Sequence, residues 1–250
     1  MTRIISILNF KGGTGKTTTV VNLAAGLALR GWRILGVDLD PQGSLTASLG
    51  TKYSHSLYHL LTDQATVAEC IVNVRDNLDI LPSDPSLAQA EGTLWRMDDV
   101  RQRRTILAEK MQGVSGYDYI LIDCSPSINL LNENAVFYAH EVFVPVSMEY
   151  LALLGTKQVV ATLKTINQTQ DHRMTLSLII PTFYHSRHRK SNEVLETLKR
   201  HFAGQVALPI RANVRLSEAA SHYLTIYEYD PRSHGAADYA QLVERVINDG

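Results

Sequence analysis

The chain has 250 residues, an ordinary length for one α/β domain, and 45% of them are hydrophobic, enough for a sizeable core. A net charge of -1 excludes a globally basic nucleic-acid binder, so any basic surface must be local. Cys70 and Cys124 show neither C-x-x-C nor metal-ligand spacing, which suits a reducing, cytoplasmic compartment; the apolar runs are far too short for a membrane span, and no charged leader or internal repeat is visible.

Short apolar runs rich in β-branched residues alternate with amphipathic stretches. RIISILNF (3–10) predicts a buried strand and Lys16 to Arg30 the helix after it, with Gly31 where a C-cap glycine belongs. RILGVDLD (33–40) predicts a second strand and NLDILP (77–82) a short one closed by Pro82. YDYILIDCSP (117–126), EVFVPVS (141–147) and TLSLIIP (175–181) predict three more. Helical patterns lie around 86–112, 127–139, 153–169, 191–202 and 234–248. Strands alternating with helices imply βαβ units, so residues 1–250 are expected to form a single α/β domain, a mostly parallel twisted sheet with helices on both faces. Ligands of such sheets bind at the carboxyl ends of the strands, which singles out the loops after Phe10, Asp38, Asp123 and Pro181.

The first of these loops reads FKGGTGKTTT (10–19). The usual phosphate-loop pattern, G-x-x-x-x-G-K-[ST], fits at Gly15, Lys16 and Thr17 but fails at its first glycine, where Phe10 stands. The chemistry fits a phosphate even so. Gly12, Gly13 and Gly15 let successive N–H groups turn inward around Thr14, and the helix start adds its positive end. Lys16 supplies a point charge to the β- and γ-phosphates, and Thr17 a hydroxyl to Mg²⁺. Asp38, Asp40 and Asp123 end strands beside this loop, as acids of a Mg²⁺ site would. A plainer reading of the acids stays open, since Asp40 before Pro41 also suits the start of a turn.

KGGTGKTT resembles the deviant Walker A loop of the ParA/MinD family of positioning ATPases. VDLDPQGS (37–44) resembles that family's second box, ILIDCSPS (120–127) its third, and RLSEAASH (215–222) and EYDPRSHGA (228–236) its C-terminal signatures. The match covers nearly the whole chain in the right order and is closest to the short, Soj-like ParA branch. The resemblance implies a P-loop NTPase fold and slow, Mg²⁺-dependent ATP hydrolysis. It implies that Lys11 reaches across a two-fold interface to the nucleotide of a second subunit in an ATP-bound homodimer. Such a face carries two polyphosphates and would repel itself without added cations. By the same resemblance Gly12 to Thr18, including Thr18 itself, wrap the phosphates, Asp123 holds Mg²⁺ through water, Asp38 supports that site, and Asp40 orients the attacking water. Asn213 borders the adenine, although Arg211 and Ala212 replace the commoner Pro-Arg pair there.

Residues 181–232 hold eight Lys/Arg against five Asp/Glu, while the rest of the chain holds 16 against 20. Arg187, Arg189, Lys190 and Arg215 match the positions where ParA proteins carry DNA-binding arginines, which implies salt-sensitive, sequence-independent binding of double-stranded DNA and a nucleoid location. Lys199 and Arg200 extend the cluster. The implied partner is a ParB-type or other cargo adaptor that stimulates hydrolysis. A MinD-like membrane cycler is the alternative; that branch carries a basic amphipathic C-terminal helix, which AQLVERVINDG (240–250) does not resemble. An iron–sulfur electron donor on the same loop would need cysteines on the two-fold axis, whereas Cys124 follows the Asp123 position within a strand end. Nothing in the sequence marks the small-molecule acid site of a ligase such as dethiobiotin synthetase.

Overall fold

The hydrophobic runs become the strands of one seven-stranded sheet in a computed structural model that describes residues 1–149, 152–169 and 174–249. The strands are β1 (Arg3–Ile7), β2 (Ile34–Leu39), β3 (Val72–Arg75), β4 (Leu78–Leu81), β5 (Tyr119–Cys124), β6 (Glu141–Ser147) and β7 (Thr175–Thr182), in the order β3-β4-β2-β5-β1-β6-β7. Every residue of β2 and β5 is buried, as expected of central strands covered on both faces. All pairings are parallel except β3 with β4, so the nucleotide-facing strand ends gather on one edge.

Helices α1 (Lys16–Ala28) and α12 (His234–Asn248) cover one face, packing Val20, Leu23 and Leu27 with Tyr239, Val243 and Val246 onto Ile5, Ile7 and Leu121. Gly26 permits this approach, since a Cβ there would stand 2.5 Å from Val243 Cγ2 and 2.6 Å from the Tyr227 hydroxyl. The other face is covered by α5 (Leu87–Trp95), α6 (Gln102–Lys110), α7 (Leu130–Tyr138), α8 (Ala152–Thr169) and α9 (Arg189–His201), whose Leu107, Leu131, Val159 and Leu195 join Val37, Ile122 and Val144. Both cysteines are buried and unpaired. Among the described residues no helix is long and apolar enough to cross a membrane.

Three local features depart from the sequence expectation. The short strand at 77–82 is half of a hairpin, for β3 precedes it and Asn77 turns the chain at φ 58°. The helical stretch at 86–112 is two helices, because Asp99 accepts the N–H groups of Arg101 and Gln102 and so starts a new one. Finally, α2 (Ser44–Ser48), α3 (Leu57–Leu61), α4 (Val67–Cys70), α10 (Val214–Ser221) and α11 (Ile226–Tyr229) are helices of eight residues or fewer, too short for their periodicity to register.

Candidate nucleotide site

The loop Lys11–Gly15 joins β1 to α1. Gly13 and Gly15 have φ of 70° and 85°, the left-handed region that side chains resist. With glycine as N-cap, no side chain takes the first N–H groups of α1, which leaves them and the helix dipole for an anion. Both ends of the loop are anchored. Asn9 Nδ2 donates to the Pro145 carbonyl at 2.8 Å while Asn9 Oδ1 accepts the Lys11 N–H at 3.0 Å. Thr14 is fully buried, and its carbonyl accepts the Thr182 hydroxyl at 2.9 Å. Lys16 is 7% exposed and donates across the loop to the Lys11 carbonyl at 3.3 Å. Burial lowers the pKa of its ammonium, and the charge of Asp123 opposes that shift.

The three acids occupy different places. Asp123 is fully buried; its Oδ2 accepts the Thr17 hydroxyl at 2.7 Å, and its Oδ1 has no donor. Asp38 lies opposite it in the β2–β5 register. Asp38 Oδ2 accepts the Thr46 N–H and hydroxyl at 2.8 and 2.7 Å, and Oδ1 accepts the Asp40 N–H at 3.3 Å. Burial pushes Asp38 up to about 6 against those hydrogen bonds. Burial, and after it the charge of Asp38, lifts Asp123 well above the ordinary carboxylate range. Asp40 starts a turn: its carboxylate accepts the Gln42 N–H at 2.9 Å, and its carbonyl accepts the Gly43 N–H at 2.8 Å and the Ser83 hydroxyl at 3.0 Å. The plainer reading of Asp40 therefore holds for its backbone and one carboxylate oxygen. An orphaned carboxylate oxygen beside a threonine hydroxyl is the donor set of a hard divalent cation, so these residues fit magnesium.

Lys11 stands at the loop's outer edge, where Nζ pairs with Glu149 at 2.8 Å. The Lys11 charge, by hydrogen bond and by field, holds the Glu149 carboxyl below its ordinary value. Gly155 of α8 backs the same edge; a Cβ there would lie 2.7 Å from Asn9 Oδ1 and 3.6 Å from Lys11 Cβ.

This geometry agrees with what comparison of the chain with known proteins returns. The profile of a family described as an AAA domain matches residues 2–176. Soj, the sporulation initiation inhibitor protein of Bacillus subtilis, is 40% identical over the whole of both chains. The chromosome-partitioning ATPase Soj of Thermus thermophilus is 40% identical over 98% of this chain and 95% of its own. The chain belongs to the Soj/ParA family of partition ATPases. Among solved structures, one described as cobyrinic acid a,c-diamide synthase of Mycobacterium smegmatis with an ATP analogue and magnesium superposes with a TM-score of 0.85 at 31% identity, covering 99% of this chain and 95% of that one. The sequence match to the Soj proteins is the stronger, and it agrees with the P-loop fold.

In this Soj/ParA chain the segment expected at the base is held rigidly. Asn213 caps α10, its Oδ1 accepting the Arg215 N–H at 2.9 Å. Arg211, where the family pattern changes, forks onto the buried Asp238 through its Nε and Nη2 atoms and also donates its own N–H, tying the loop to α12. The basic residues divide into two kinds. Arg189 pairs with Glu193, Lys199 with Glu196, and Arg215 with Glu218 and, at 3.6 Å, with Asp230. Arg187, Lys190 and Arg200 have no carboxylate within ion-pair distance among the described residues. Arg187, Arg189 and Arg200 line one open cleft of about 620 Å³, and Lys190 shares another, of about 600 Å³, with Lys11 and Gly12. Asn9, Thr46, Glu149, Gly155 and Thr182 escape motif reading, because each acts on a site residue from a distant part of the chain; only the polar residue at a strand end marks Glu149 and Thr182.

Proposed function

We propose that the chain is an ATP-dependent positioning ATPase, acting as one domain over residues 1–250, whose ATP-bound dimer holds DNA without regard to sequence. The observation that carries this is the pairing of Thr17 with Asp123, whose second oxygen is orphaned, at the mouth of an anion-ready loop with a lysine on its outer edge. Lys16 would meet the β- and γ-phosphates, with the backbone of Gly12, Gly13, Thr14, Gly15 and Thr18 around them. Thr17 and Asp123 would hold magnesium, with Asp38 fixed behind by Thr46. That ion, when bound, supplies positive charge against the phosphate oxygens. Asp40 keeps one carboxylate oxygen outside its turn hydrogen bond and is our candidate for orienting the attacking water. Lys11 would leave Glu149 for the nucleotide of a second copy, so the exposed pair gives way cheaply. Asn213 would border the base.

Arg187, Arg189, Lys190 and Arg215 would take phosphates of double-stranded DNA, and pairing two copies would double those contacts. A cargo adaptor of the ParB type would stimulate hydrolysis and release the DNA, placing the protein on the nucleoid. The deciding experiment is binding to a duplex of arbitrary sequence with no nucleotide, with ADP and with ATP–Mg²⁺ across a salt series. Binding only with ATP, weakening steeply with salt, is the expected result. An ATP dimer that ignores DNA in every state would overturn the DNA half of the proposal.

A further inference from the structure

A second cavity lies away from the phosphates, on the face covered by α6, α7 and α8. Its volume is about 350 Å³, and Leu8, Phe10, Val136 and Ala161 form much of its wall. Ile128, 64% exposed, stands at its rim, and the Arg104–Glu133 pair, at 2.8 Å, closes one side. The polar feature of the wall is Asn132. Its side chain is fixed, because Nδ2 donates to the carbonyls of Ser125 and Ser127 at 2.8 and 2.5 Å and its own N–H goes to Asn129 Oδ1 at 2.9 Å. Both donor hydrogens of the amide are thus committed, and the O/N assignment of the group follows. Asn132 is 3% exposed and its Oδ1 has no donor. Among the described residues lining the cavity it is the one buried acceptor in that state. A buried acceptor without a donor costs free energy that a ligand N–H would recover.

We propose that this cavity binds a planar aromatic small molecule carrying one N–H donor, with the ring among Leu8, Phe10 and Val136 and the donor on Asn132 Oδ1. The size suits a bicyclic ring, and an apolar cavity with one placed polar group is the usual form of a small-molecule site. The wall also explains how such a ligand would be felt at the phosphates. Phe10 immediately precedes Lys11, and Asn132 holds the turn that follows Asp123 and Cys124.

The test uses the full chain without nucleotide, so its outcome is independent of the ATPase reading. Indole is titrated by protein-observed NMR beside benzofuran, the isostere with oxygen in place of N–H. Indole is expected to saturate, shifting Phe10, Val136 and Ala161, with benzofuran about tenfold weaker, the worth of one hydrogen bond to a buried acceptor. Ala161→Trp, which fills the cavity from the exposed face of α8, is expected to lose indole while keeping the wild-type circular dichroism and ATP affinity. No saturable indole binding would overturn the proposal, as would equal binding of benzofuran. Should Ala161→Trp misfold, the indole–benzofuran comparison on the natural chain still decides.

Discussion

The nucleotide end and the basic face of this molecule are built on opposite plans. At the nucleotide end Thr14, Lys16, Asp38 and Asp123 are buried, and most of their polar atoms have a fixed partner on another strand. On the basic face the cations are exposed, and several are paired with acids three or four residues away on their own helix. A buried group owes its position to the whole fold, so changing one is expensive. An exposed arginine paired along its helix gives up that pair easily, so such residues act by number and by sharing. The counting of charge by segment therefore overstates the basic face, because it ignores local pairing.

Four substitutions probe that contrast. Lys16→Ala removes the buried cation and is expected to weaken ATP binding by roughly a hundredfold or more, read by titration calorimetry; wild-type affinity would show that the phosphates lie elsewhere. Gly43→Ala strikes the backbone of the same end, since Gly43 has φ 62° and a Cβ would stand 2.8 Å from the Ser83 carbonyl oxygen. A loss of about 2–4 kcal/mol in urea unfolding is expected. On the basic face, replacing Arg187 and Lys190 together by alanine should leave the ATP dimer intact by light scattering. The salt slope of its DNA affinity should fall by about two, one for each lost phosphate contact. The smallest effect is a gain: Glu218→Ala frees Arg215 from its helix partner and should tighten DNA about twofold, within the modest worth of an exposed pair. A loss instead of a gain would mean that Glu218 positions Arg215 for its phosphate.

The same contrast explains what could be read before the fold was known. The strand–loop–helix of Phe10 to Ala28 is written in contiguous residues, so spacing and glycines reveal it. The boundaries of β6 and α12 were equally legible, being set by long periodic runs. Asp38 and Asp123 were legible as strand-end acids, yet nothing local says that Thr46 takes one and Thr17 the other. Glu149 and Thr182 reach the loop only because β6 and β7 lie side by side beyond β1, a fact of topology. The β3–β4 hairpin was half missed because its turn is made by Asn77 in place of glycine. The break between α5 and α6 turns on a single carboxylate, that of Asp99, within a stretch of even helical composition.

The burial of both cysteines has a practical consequence. Cys70 and Cys124 lie inside the core, and burial pushes the Cys70 thiol up to about 11 and the Cys124 thiol higher still, so neither offers a thiolate to a maleimide at neutral pH. A cysteine introduced at an exposed position would be the single fast-reacting thiol, with no need to engineer the natural ones away. A dye placed on the exposed face of α9, for instance at Thr197, would report proximity to DNA in real time. The natural chain is already a labelling background.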